Sequence, residues 1–173
     1  MRCATSLDEL EDQWKQFLSR IERVWNKCES HFSRSPKWAG WKGPYEKARK
    51  SDPLLSYLRN ARGADEHTIA EIVSREPGTM RIGAGSTGSL HLRGMVIRNG
   101  EVFVDGDGSI KLTFTPGRVK LLPVTNRGRT YDLPRSHLGR PVDPDNVIEI
   151  AEAGLRYYAG LLDSAERAFC AGG

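Results

Sequence analysis

The apolar residues of this 173-residue chain recur with two different periods, and that change of period limits the possible folds more than any other feature. From the N-terminal side, Leu7, Leu10, Trp14, Phe17, Leu18, Ile21, Val24, Trp25, Cys28 and Phe32 step by threes and fours, which lays one apolar stripe along a helix. Ser6 and Glu9 stand at capping-box spacing before it, and the pattern ends at Ser35-Pro36. A second helix is expected from Asp52-Pro53, a cap residue followed by proline at the first helical position. Leu54, Leu58, Ala61, Asp65, Thr68, Ile69, Ile72 and Val73 trace its face, and Pro77-Gly78 closes it. The last helix is expected from Asp143-Pro144, with Ile148, Ala151, Leu155, Tyr158, Leu162, Ala165 and Phe169 alternating steps of three and four. Such a seam packs on the other helices, on an antiparallel partner or across a dimer. The expected helices are thus 6–34, 52–75 and 143–170.

From residue 79 the period shortens to two. SLHLRGMVI, EVFVDGDGSIKLTF and RVKLLPVT are rich in β-branched residues and separated by turn pairs, of which Asn99-Gly100 is the strongest hairpin signal. Asn126 to Arg140 (NRGRTYDLPRSHLGR) reads as a basic loop with a strand around Thr130-Tyr131-Asp132. The expected fold is therefore α+β, a mainly α-helical bundle of three to four helices with an inserted antiparallel β-meander. It forms a single domain over 1–173, with meander and basic loop occupying 79–140. The connector at 36–50 interleaves Trp38, Trp41 and Tyr45 with cations, a composition that can stack on bases but more commonly covers one end of a bundle.

Several function classes are excluded at this level. No run of eighteen apolar residues predicts a membrane span. The first residues turn acidic where a signal peptide needs its apolar stretch, and Cys3, Cys28 and Cys170 are too widely spaced for a disulfide framework or a zinc knuckle. Both features lead to the expectation of a cytoplasmic protein. Gly83 to Gly88 matches GxGxxG, but the residues after Gly88 alternate like a strand instead of opening a helix, and the lysine of a P-loop is missing. Asp105, Asp107 and Ser109 open like an EF-hand loop, yet Ile110 and Pro116 occupy the glycine and glutamate positions. His31, His91 and His137 lack metal-ligand spacing, and no GxSxG nucleophile exists. No metal or cofactor is expected.

Charge is uneven. Residues 1–80 carry 14 Lys/Arg against 12 Asp/Glu, residues 81–140 carry 10 against 4, and residues 141–173 carry 2 against 6. The basic middle can attract phosphate backbones or complement the acidic C-terminal segment.

One motif carries chemistry. Arg62 and His67 form R-x4-H within a helical stretch, YLRNARGADEHTIAEIV, preceded by Arg59-Asn60. This stretch resembles the signature of HEPN domains (higher eukaryotes and prokaryotes nucleotide-binding), in which R-x4-6-H lies on a helix of an all-α, typically homodimeric bundle. The resemblance spans about 25 residues, Asp52 to Ser74, and excludes the β insertion. It departs at Gly63, where ribonuclease members usually carry a polar residue. What it implies is RNA or nucleotide binding, a homodimer, an antitoxin-like protein partner and, in ribonuclease members, metal-independent cleavage. His67 would be the acid/base and Arg62 the phosphate cation, with Asp65 or Glu66 orienting the imidazole. Arg59, Asn60, Arg127, Arg129, Arg135, His137 and Arg140 would extend the binding surface. On an ideal helix Arg62 and His67 lie about 140° apart, so a shared site needs the reach of arginine, a distortion at Gly63 or a second protomer. The alternative expectation is a non-enzymatic protein–protein interaction module, in which helix seam or β-meander binds a partner; small-molecule binding between sheet and bundle stays open as a third.

Overall fold

The computed structural model describes residues 6–67, 71–84, 91–98, 101–107 and 110–170. They form the expected α+β fold, four helices with antiparallel strand pairs inserted before the last helix. Two compact units are present: Met1–Arg75 with Val119–Gly173, and Glu76–Arg118.

The first unit is helical at its centre. Helix α1 (Leu7–Phe32) is capped by Ser6, whose Oγ accepts the Glu9 amide at 3.1 Å, and its stripe buries Trp14, Leu18, Ile21, Trp25 and Cys28. Helix α2 (Trp38–Ser51) occupies the segment expected to be a connector. Gly40, Gly43 and Pro44 read as breakers, but Trp38, Trp41, Tyr45 and Ala48 recur at helical steps and all pack on the core. The aromatics do cover one end of the bundle: Phe32 stacks on Phe169 at 4.4 Å between ring centres, Trp38 on Trp41 at 5.3 Å, and Trp41 Nε1 donates to Ser164 Oγ at 3.1 Å.

Helix α3 (Pro53–His67) starts as expected, with Asp52 Oδ1 accepting the Leu55 amide at 3.0 Å. It is shorter than the 52–75 expected. The β-branched Val73 opens a strand instead, β1 (Val73–Glu76), which pairs with β6 (Arg118–Leu121), and the carbonyl of Ile72 just before it accepts the Leu122 amide at 3.0 Å. Residues 68–70 lie outside the described set. Two short hairpins fill the expected basic loop. β7 (Val124–Asn126) pairs with β8 (Arg129–Tyr131) around Arg127-Gly128, and β9 (Ser136–His137) pairs with β10 (Arg140–Pro141) around Leu138-Gly139. All four turn residues have positive φ, the pattern of type I′ turns. Helix α4 (Val147–Phe169) begins three residues later than Pro144 suggests, because Asn146 is the cap and accepts the Glu149 amide at 3.1 Å. Its buried face is Val147, Ile150, Ala151, Gly154, Tyr158, Leu161 and Ala165. The expected seam is rotated, leaving Leu155 and Leu162 exposed along a groove of about 720 Å3 against Phe17 and Val24 of α1.

The second unit is an antiparallel ribbon with nested pairing. β3 (His91–Arg98) pairs with β4 (Glu101–Asp107), and β2 (Thr79–Ala84) with β5 (Ile110–Thr115) around them. Arg98 faces Glu101, flanking Asn99-Gly100; that turn, and Gly85 to Gly88 of the glycine motif, lie outside the described residues. In the β2–β5 register Met80 faces Phe114 and Ile82 faces Leu112, so one face is apolar, while Arg81 faces Thr113 on the other. Met80, Leu112 and Phe114 are exposed, Phe114 at 72%.

Candidate functional site

A cleft of about 820 Å3 opens within the first unit, between α3, the end of α2 and the β7–β8 hairpin. Its cations come from three separate stretches of sequence. Lys50 lies at the end of α2, Arg59 and Arg62 on α3, and Arg127 and Arg129 on the hairpin. Lys50, Arg59, Arg127 and Arg129 are exposed and have no carboxylate partner among the described residues. A sixth, Arg49, is structural. It is buried, lies over the Trp25 ring at 4.3 Å, donates to Tyr158 Oη at 3.1 Å and pairs with Glu22.

The hairpin is fixed to the helix by amides. Asn126 Nδ2 donates to Asn60 Oδ1 at 3.0 Å, and Asn60 Nδ2 donates to the Ser56 carbonyl at 2.8 Å. Below them, a Cβ on Gly63 would stand 2.5 Å from Asn126 Nδ2. The glycine after Arg62 therefore leaves room for the Asn126 side chain against α3, and a larger residue would push that amide aside. Tyr57 supports the same contact from behind, its buried hydroxyl donating to the Leu122 carbonyl at 2.8 Å; burial raises its pKa.

Arg62 forms part of the cleft wall, with one guanidinium nitrogen on Glu66 Oε1 at 2.6 Å. Its Nε is buried and has no hydrogen-bond partner among the described residues. His67 is the last residue of α3, and its side chain lies outside the described set. Asp65 exerts its charge on Lys15 of α1 and does not line the cleft, and Glu66 is engaged by Arg62.

The expected basic surface divides. Arg127 and Arg129 join Arg59, Asn60 and Arg62, whereas Arg135, His137 and Arg140 are not among the residues lining this cleft. His137 and Arg140 border a separate cavity of about 470 Å3 with Glu149 and Arg156. There Asp52 accepts from the Leu55 amide, from the Leu138 amide at 2.7 Å and from His137 Nδ1 at 3.0 Å. Burial pushes the Asp52 pKa up, but the Leu138 amide, the His137 ring and the Leu55 amide outweigh it, and the net shift is downward. As a carboxylate Asp52 only accepts, which places the proton on His137 Nδ1. The trio holds the β9–β10 turn, including Leu138 at positive φ, against the start of α3. Tyr157, whose ring centre is 5.9 Å from that of His137, has its pKa pushed up to about 12 by burial and neighbouring tyrosines.

Lys50, Asn126 and Tyr131 are among the cleft residues not anticipated from sequence. Asn126-Arg127-Gly128-Arg129 does carry the turn chemistry of a two-residue hairpin, which would have placed Asn126 and Tyr131 on paired strands. Among the described residues, no group of three or more His, Cys, Asp or Glu is placed to hold a metal ion. No helix among them is long and apolar enough to cross a membrane.

The fold and site together define an α+β protein with a cationic cleft walled by a helix and a hairpin. Comparison of the chain with protein-family models, with curated proteins and with solved structures gives no match.

Proposed function

We propose that this protein is an HEPN-like RNA-binding protein that holds phosphates of RNA in the α3–β7–β8 cleft. The observation that carries this is the convergence of Arg59 and Arg62 with Arg127 and Arg129, more than sixty residues away, on one cleft. Guanidinium groups present several donors in a plane and keep their charge at every physiological pH, the requirement for binding phosphodiester oxygens. Catalysis is inferred from the resemblance of the α3 motif. Arg62 would stabilise charge on the phosphate while His67 moves protons between the ribose 2′-hydroxyl and the leaving oxygen. Because the two lie about 140° apart on the helix, a second protomer completing the site fits this chemistry best.

Arg62→Ala is expected to weaken RNA binding about tenfold, in line with loss of one charge-assisted phosphate contact. His67→Ala is expected to leave binding in place and abolish cleavage. Unchanged affinity in Arg62→Ala would remove the binding assignment, and cleavage persisting in His67→Ala would remove the catalytic one.

A second function, as a protein-interaction module, is favoured by the apolar ribbon face of Met80, Leu112 and Phe114. Under it, binding of a partner would respond to Phe114→Thr and Leu112→Thr and ignore Arg62.

A further inference from the structure

We infer that Tyr131 and Arg129 form a stacking platform for one unpaired base, which makes the ligand of the cleft single-stranded RNA. This rests on the phosphate-binding proposal above and adds to it a recognition element outside the α3 motif.

The hairpin register fixes the geometry. Val124 faces Tyr131 and Asn126 faces Arg129, so these four side chains share one face, while Thr125 and Thr130 meet through their hydroxyls at 3.1 Å on the other. Val124 is buried and Asn126 bonds Asn60, so the shared face is the one turned toward α3 and the cleft. Tyr131 is half-buried against the core, and the Arg129 guanidinium carbon lies 5.3 Å over its ring. Arg129 itself is exposed and has no carboxylate partner among the described residues. A flat base can extend this stack on the guanidinium, or take the ring when Arg129 moves to a phosphate. The base lies on Arg129 in the first arrangement and on Tyr131 in the second, and in both Arg127 and Arg62 hold the flanking phosphates.

Stacking of this kind needs a base whose face is free. In a duplex both faces are covered by neighbouring pairs, so a helical ligand offers the cleft its phosphates alone. The platform therefore separates single strands from duplexes, and strands with bases from strands without them. Phosphate contacts by Arg59, Arg62 and Arg127 make neither distinction.

The test compares three labelled probes on the full chain at one salt concentration: a 12-nucleotide oligouridylate, an abasic phosphodiester oligomer of the same length, and a blunt RNA duplex. The oligouridylate is expected to bind at least about tenfold more tightly than the abasic oligomer, the scale of one stacked base. Tyr131→Ala should collapse that ratio toward one. Arg129→Lys, which keeps the charge, loses the plane and leaves Tyr131 packed on the core, should reduce it as well. Arg62→Ala should weaken both ligands together and preserve the ratio. A wild-type ratio near one, or a ratio that survives both Tyr131→Ala and Arg129→Lys, overturns the platform while phosphate binding stands. Failure of all three probes to bind overturns the phosphate-binding proposal and the platform with it.

Discussion

Gly63 shows how a single absent methyl group shapes the cleft. In a helix interior glycine costs about 1 kcal/mol relative to alanine, so its presence in α3 calls for a reason. That reason is Asn126, whose amide nitrogen occupies the space a Cβ would need. Gly63→Ala should gain helix propensity and lose the Asn126–Asn60 hydrogen bond, two terms of about 1 kcal/mol each that nearly cancel. A thermal melt should therefore shift by only a few degrees. RNA affinity should fall, because the lost Asn126–Asn60 bond is one that holds the hairpin carrying Arg127 and Arg129 to α3; unchanged affinity would contradict this. Asp52 supplies the pH-dependent counterpart. Its folded pKa is depressed, so the stability it adds is present above about pH 4, the unfolded aspartate range, and is lost as the pH falls through the lower folded value. Asp52→Asn should cost about 1 kcal/mol at pH 7, with the gap to the wild type narrowing below about pH 4 in denaturant titrations. A gap that does not change with pH would contradict the assignment. The Asp52 cap is legible in sequence because its partner, the Leu55 amide, is only three residues away, although the same Asp-Pro pair at 143–144 puts the start of α4 three residues too early. The roles of Gly63 and Asn126 are not, since they depend on a contact between residues far apart in the chain.

Among the elements, legibility depends on how local the determining contacts are. α1 carries its own uninterrupted stripe and is readable almost to the residue. α2 is hidden because Gly40, Gly43 and Pro44 lower its intrinsic helicity, and Trp38 and Trp41 restore it through packing on Phe169, Trp25 and Ser164. α3 is shorter than its pattern suggests because Ile72 and Val73 fit a helical face as well as a strand, and the β1–β6 pairing decides between them. On α4 both faces carry apolar residues, so periodicity alone does not choose which is buried. Gly154 does, because a Cβ there would stand 2.7 Å from Leu58 Cδ1 and 3.1 Å from the Phe17 ring. The ribbon is legible as antiparallel strands. Its ends come close together: a Cβ on Gly78 would stand 2.9 Å from the Gly117 amide nitrogen. Joining Gly78 to Pro116 through a short Gly-Ser link should therefore delete β2 to β5 without breaking the helical core. The shortened chain is expected to keep its helical circular dichroism, a cooperative melt and RNA binding. A non-cooperative melt would show that the ribbon is needed for the core.

At the scale of the whole molecule, the net charge of +4 conceals the arrangement that matters. The basic middle of the sequence does not act as one surface. Arg81, Arg93, Arg98 and Lys111 lie on the ribbon, whereas Arg127 and Arg129 fold back to join Lys50, Arg59 and Arg62. A site that sequence spreads over three stretches thus becomes a single cationic cleft. Its most direct test is the salt dependence of single-stranded RNA binding, because each neutralised phosphate releases counterions. With about four phosphates held, the logarithm of the binding constant should fall against the logarithm of salt concentration with a slope near about −3. Replacing Arg59, Arg62 and Arg127 together with alanine should bring that slope to about −1. A wild-type slope near zero, or a steep slope that survives the triple replacement, would contradict the cleft as the RNA-binding site.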